Sequence, residues 1–263
     1  METGVDALGR VGRCVFCAGI LALGVEHFVV ARVVEQSPTF YPKYGVVPVI
    51  PWVPAMAWLA YVVGAILVVC AAAILVRRGE RMAALALGAL FFVCTVVLEV
   101  PKNWANPGSM SLRTGVFEPV TIAGLAWLLP GVSAVPRWLV WLSRWMLGVS
   151  LIVFGMDHLL ALRPIASLIP AWIPWHVFWI GFFGLAFIAA GVSIGLNVLA
   201  RWGAVGMGWM FAIWVLTLHL PRVLGLYGIA GAPRNPNEWS SLFIAVALWG
   251  GFWAVTGGEE ANS

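Results

Sequence analysis

Charge is what this sequence lacks most. Only 10% of its 263 residues are Asp, Glu, Lys or Arg, against 62% that are apolar. A soluble domain carries roughly a quarter charged residues. This chain cannot clothe a water-facing surface with so few, so lipid must be its main solvent. Basic runs are missing too. The net charge of +4 is small and scattered, which leaves no footing for a nucleic-acid partner. Long polar linkers are absent, and with them any soluble domain. The four cysteines make no secreted disulfide framework. Cys14 and Cys17 form a C-x-x-C without a second pair, Cys70 and Cys94 fall inside apolar runs, and all four read as small hydrophobes, with a redox or metal role for Cys14 and Cys17 as the alternative. The four histidines show neither H-x-x-x-H nor H-E-x-x-H, so no metal-binding spacing is present.

What the chain has instead is apolar length. A spanning helix needs about 20 apolar residues. Segments of that kind recur at 14–33, 54–76, 82–100, 116–131, 138–160, 174–197, 202–220 and 239–257. Sixteen Trp and 29 Gly fit a membrane setting, where Trp favours the interface and Gly is common in helices. Arg10 and Arg13 precede the first run, but "GVEHF" closes it without a small-x-small cleavage pattern, so a retained first helix is expected.

The chain also repeats itself. "GVEHFVVAR" at 24–32 matches "GMDHLLALR" at 155–163, and "IPWVP" at 50–54 matches "IPAWIP" at 169–174. From there the register holds at 120 residues: Pro54 with Pro174, Gly64 with Gly184, Arg81 with Arg201, Gly88 with Gly208, Pro101 with Pro221, Lys102 with Arg222 and Glu118 with Glu238. Glu99 takes the position of His219. Chance does not keep Pro, Gly, Arg and Glu in one register over such a length. The expected fold is therefore all-α and integral to the membrane, with eight transmembrane helices as two fused four-helix bundles, residues 1–133 and 134–263. Four spans per copy is even, so the repeat is parallel, about an axis along the membrane normal.

Connections after the odd-numbered spans are long and rich in Pro, Trp and Gly; those after even spans are short, as in "VRRGER" at 76–81. Polar residues gather on the odd-connection side. Glu26 and His27 close the first span, Asp157 and His158 the fifth, Glu99 the third and His219 the seventh. Glu118, His176 and Glu238 open the fourth, sixth and eighth. Polar side chains at membrane depth are costly and face a bundle interior or a wet cavity. In "LHLPR", Pro221 is expected to end its helix with Arg222 complementing the helix dipole, and Pro101 with Lys102 to do the same. His219 is expected near Glu238, and Glu99 near Glu118. The N-terminus and even connections carry Arg10, Arg13, Arg77, Arg78, Arg81, Arg137, Arg144 and Arg201; the odd ones carry Arg32, Lys43, Lys102, Arg113, Arg163, Arg222 and Arg234. The dense "RRGER" turn favours both termini in the cytoplasm.

The residues "FGMDHL", "PAWIPWHVFWIGFFGLAFIAAGVSI", "LTLHLPRV" and "NEWSSLFIAVALWGG" give 155–251 a resemblance to the DoxX-like family of bacterial membrane proteins. The first half resembles the same unit through "GVEHF", "VPVIPWVP", "LEVPKNW" and "FEPVTIAG", departing where Glu99 replaces histidine and "FEP" replaces "NEW". The resemblance implies a four-helix unit in the bacterial inner membrane and a redox lead linked to quinone. A quinone oxygen calls for a group that both hydrogen-bonds and passes a proton, which suits His219, His158, Glu238 and Asp157 as catalytic candidates. Arg222, His176, Trp175, His27, Glu99 and Glu118 are ligand-binding candidates, and the Trp-rich "AWIPWHVFW" suits an apolar ring pocket. A haem or metal held by His27, His158, His176 and His219 finds no supporting spacing. A transporter or channel, and a non-catalytic scaffold using "GVSIG" at 191–195 for close packing, are the alternatives. The lipid bilayer is the first partner, with a membrane-protein partner or a second copy of the chain next.

Overall fold

The computed structural model describes residues 4–36, 57–131, 133–226 and 236–258. The "IPWVP" segment, Lys43 and Arg234 lie outside the described residues. Among those described, every regular element is helical. In chain order they are α1 (Gly4–Gln36), α2 (Ala57–Leu75), α3 (Glu80–Ala105), α4 (Met110–Leu128), α5 (Arg137–Leu160), the short α6 (Leu162–Ala166), α7 (His176–Gly195), α8 (Ala200–Val223) and α9 (Pro236–Ala254). Six of them, α1, α2, α3, α5, α7 and α8, are long and apolar enough to cross a membrane. They leave large apolar side chains such as Val69, Phe178 and Leu185 exposed, as helices facing lipid do.

The other two long helices, α4 and α9, sit inside. α4 packs against α3, α5 and α9, while α9 packs against α1, α8 and α4. From Thr121 to Leu128 every residue of α4 is buried. A helix shielded by neighbours carries charge at less cost, and these two hold Glu118 and Glu238.

The helices pack in chain order around a ring that closes from α9 to α1. Helix α1 does not pack along α4, nor α5 along α9. The last helix of each half packs on the first helix of the other, an exchange that small residues permit. A Cβ on Gly12 or Gly19 of α1 would strike Trp253 or Ala247 of α9, and one on Gly250 would strike Phe16. On the other seam, Gly124 of α4 lies against Ser143 and Leu147 of α5. Arg13 of α1 reaches across to the end of α4, donating to the Leu129 carbonyl at 3.3 Å, and pairs with Glu80 of α3.

Glycine also sets the spacing inside each half. A Cβ on Gly64 would come 2.8 Å from the Gly24 carbonyl, and one on Gly155 would come 2.5 Å from the Gly184 carbonyl. Gly191 likewise opposes the Gly148 carbonyl, at 2.6 Å. Gly184, Gly191 and Gly195 therefore meet another helix, but it is α5 of their own half rather than the opposite half.

Proline behaves differently from the sequence expectation. Pro101 and Pro221 do not end their helices. Each follows a π turn, Thr95–Glu99 in α3 and Val215–His219 in α8. There the Val100 N–H reaches the Thr95 carbonyl and the Leu220 N–H reaches the Val215 carbonyl. An interior proline lacks a donor and presses on the carbonyl four residues back; the wider π turn relieves both, so the helix runs on to Ala105 and to Val223.

Replacing Gly191 with Leu should overpack the α5–α7 seam and cost about 1–3 kcal/mol, read as a lower unfolding temperature and poorer monodispersity in detergent. Gly206, whose Cβ would meet nothing within 4 Å, is the control, and its Leu variant should behave as the parent. Equal behaviour of the two variants would refute close packing at Gly191.

Candidate functional site

Helices α4, α5, α7 and α8 surround a cavity of about 550 Å³, to which α6 and the segment after it add Ile165, Leu168 and Ile169. The wall is largely apolar, with aromatic rings from three helices: Phe154 from α5, Trp179, Phe183 and Phe187 from α7, Phe211 and Trp214 from α8. Polar side chains come from the helix ends on the odd-connection side. They are Thr114 and Glu118 of α4, Asp157 and His158 of α5, and Thr217 and His219 of α8.

His158 is held on three sides. Its Nδ1 donates to the Phe154 carbonyl at 2.7 Å. Its ring stacks on Trp214, centroids 5.5 Å apart and 13° from parallel, and tilts against Phe187 at 5.2 Å. Asp157, 5% exposed, takes the guanidinium of Arg113, with Nη2 to Oδ1 at 2.5 Å and Nε to Oδ1 at 3.0 Å. Arg113 also donates to the Pro107 carbonyl at 2.9 Å. The pair joins α4 to α5, so Asp157 is neutralised as well as cavity-lining. Glu118 lines the cavity with no cation or hydrogen-bond partner among the described residues. His219 contributes from the π turn of α8, and its buried Nδ1 has no partner.

The remaining candidates lie elsewhere. Glu238 does not line the cavity. It accepts from Arg222, with Nε to Oε2 at 2.8 Å and Nη2 to Oε1 at 2.6 Å, which ties α8 to α9. Arg222, and not His219, is thus the hydrogen-bond partner of Glu238. Glu99 pairs with Lys102 of its own helix at 3.0 Å and lies against Gly115, three residues before Glu118. His176 donates from Nε2 to the Pro170 carbonyl at 3.2 Å, pinning the segment that precedes α7. Trp175 caps α7 from a left-handed conformation (φ 58°) and is 76% exposed. Of "AWIPWHVFW", Trp172, Ile173 and Trp179 reach the cavity.

His27 repeats the geometry of His158 at the other seam. Its Nδ1 donates to the Leu23 carbonyl at 2.7 Å, and its Nε2 is buried without a partner. Its neighbour Glu26 accepts from Ser240 of α9 at 2.5 Å, as Asp157 accepts from Arg113 of α4. No group of three or more His, Cys, Asp or Glu able to hold a metal ion occurs among the described residues.

Sequence reasoning misses Arg113, Thr114, Thr217 and Trp214. Arg113 reaches an acid 44 residues away on a different helix, a distance at which spacing carries no signal. Comparison with protein-family models, with curated proteins and with solved structures gave no match.

Removing one partner of a buried pair leaves an uncompensated charge and costs about 3–5 kcal/mol. Asp157→Ala is therefore expected to lower the unfolding temperature in detergent more than the double change R113M/D157L does. A double variant as unstable as the sum of its single losses would show that the two residues do not act as a pair.

Proposed function

We propose that the protein is an eight-span, DoxX-like protein of the bacterial inner membrane, built by tandem duplication, that binds a quinone-type ring in the α4–α5–α7–α8 cavity as a redox-linked membrane subunit. The observation that carries the ligand reading is the division of that cavity's wall: apolar over most of its surface, with Phe and Trp rings from α5, α7 and α8, and with His158, His219 and Glu118 among its few polar side chains. Its volume falls in the usual range for small-molecule sites, roughly 300–1,000 Å³. A flat apolar ring with polar oxygens suits such a wall, and a hydrated ion does not.

A bound quinone supplies two-electron, two-proton chemistry. The chain's part is to hold the ring between aromatic faces, keep water out, and hydrogen-bond the oxygens. Neutral imidazole suits proton exchange near neutral pH. His158 offers its Nε2 lone pair, since its Nδ1 proton is committed to Phe154. His219 and Glu118 supply further proton-exchanging groups on the α8 and α4 sides.

The duplication reading is supported by matched details. Both halves carry a Gly–Gly carbonyl contact between their first two helices, a π turn before a Pro-cation pair, and an acid-His pair whose imidazole bonds the carbonyl four residues back. The inner placement of α4 and α9 accounts for their lower apolar content as spanning helices.

Two experiments test the proposal. Organic extraction of the purified protein should yield a prenylated quinone at about one per chain, and Ile165→Trp should lower that yield at least ~5-fold by filling the cavity. A quinone-free extract, or one unchanged by Ile165→Trp, would remove the ligand reading. For the span count, single cysteines at Trp104, Leu226 and Val198, all well exposed, go into a cysteine-free background. Eight spans put Trp104 and Leu226 on one membrane face and Val198 on the other, whereas six spans put Trp104 with Val198. An impermeant maleimide on oriented vesicles distinguishes the two.

A further inference from the structure

The hydrogen positions around the cavity are constrained, and they give it a polarity. The Phe154 carbonyl can only accept, so the His158 Nδ1 that stands 2.7 Å from it must carry the proton. The opposite tautomer would set a nitrogen lone pair against a carbonyl lone pair at that distance. Neutral His158 therefore presents a bare lone pair at Nε2, and its ring cannot swing away, being stacked on Trp214 and backed by Phe187. The two hydroxyls in the wall are spent in the same sense. Thr114 donates to the Met110 carbonyl at 3.0 Å, and Thr217 donates to the Ile213 carbonyl at 2.7 Å. Asp157 contributes carboxylate oxygens. Trp179 offers a fixed donor, its indole N–H buried without a partner on α7, while His219 and Glu118 can each donate or accept according to their proton and so favour neither form.

From this we infer that the cavity selects the reduced, hydroxyl-bearing form of its ring ligand, with the His158 Nε2 accepting the ring O–H. The inference rests on the cavity being a ligand site and adds which oxidation state it holds. A phenolic O–H answers the His158 lone pair directly. A quinone carbonyl opposes it with another lone pair and leaves both unsatisfied in an apolar setting, where an unmade hydrogen bond is felt most. The Trp179 N–H serves either form, because a hydroxyl oxygen and a carbonyl oxygen both accept. His158 is thus the group that discriminates.

The test uses two redox-inert probes of nearly one shape, 4-heptylphenol and its methyl ether 4-heptylanisole, titrated calorimetrically into the full chain in nanodiscs. The phenol should bind about tenfold more tightly than the ether, the effect of one buried hydrogen bond. In His158→Phe, which keeps an aromatic ring against Trp214, the two probes should bind within about twofold of each other. Equal binding to the parent protein would overturn the selection of the hydroxyl form while leaving the cavity as a ligand site. Binding of neither probe would overturn the cavity reading itself. A tenfold preference that persists in His158→Phe would remove His158 as the acceptor.

Discussion

Gly155 of α5 and Gly184 of α7 bring two helix backbones together, so that a Cβ on Gly155 would come 2.5 Å from the Gly184 carbonyl. Lipid tails are as apolar as leucine, so no hydrophobic force drives helices together in a bilayer, and small residues that admit close packing do it instead. At this crossing Leu159 is brought down over Gly184. His158, its chain neighbour, is thereby turned toward Phe187 of α7 and Trp214 of α8. The first half makes the same arrangement, with Phe28 and His27 against Gly64. The place of each histidine is a consequence of helix spacing, and a side chain at either glycine would move it.

Around that frame, the polar residues at one end of the helices divide by what they hold. Asp157 with Arg113 joins α5 to α4, Glu26 with Ser240 joins α1 to α9, and Arg222 with Glu238 joins α8 to α9. Two of these ties cross from one half of the chain to the other, at the seams where small residues also let the helices approach. Charge at membrane depth persists when paired, and here the pairing fastens the exchanged helices. The exchange has a direct consequence for the cavity. Its α4 wall, with Thr114 and Glu118, comes from the first half of the chain, while the other walls come from the second.

Much of this was legible in the sequence, and the reasons differ by element. Span positions followed from apolar length: 54–76 against Ala57–Leu75, 138–160 against Arg137–Leu160. The gathering of His27, His158, Asp157, Glu118 and His219 toward one end followed from their place at span ends. Helix α4 begins at Met110, ahead of the apolar span at 116, where Ser111, Arg113 and Thr114 interrupt the apolar pattern; Ser109, whose hydroxyl accepts from the Leu112 N–H at 3.3 Å, is the cap that marks it. The π turns were not legible, since a proline after an apolar run ordinarily reads as an ending. Nor was the partner of Asp157, or the exchange of α4 and α9, for both are settled by contacts between residues far apart in the chain.

One difference between the two halves of the chain has effects beyond its own position. Glu99 and His219 lie 120 residues apart in the same register, each in a π turn and each three residues before a cation. An acid there takes the cation for itself, so Lys102 bonds Glu99 and Glu118 is left without one. A histidine there makes no such claim, so Arg222 is released to Glu238, and the Nδ1 of His219 is left without a partner. Glu118 in the first half and His219 in the second are thus left outside these local ion pairs. Because α4 packs into the second half, those two groups, Glu118 and His219, line the same cavity. An acid at 99 and a histidine at 219, with α4 seated against the second half, thus leave two titratable side chains outside the ion pairs and in one largely apolar cavity.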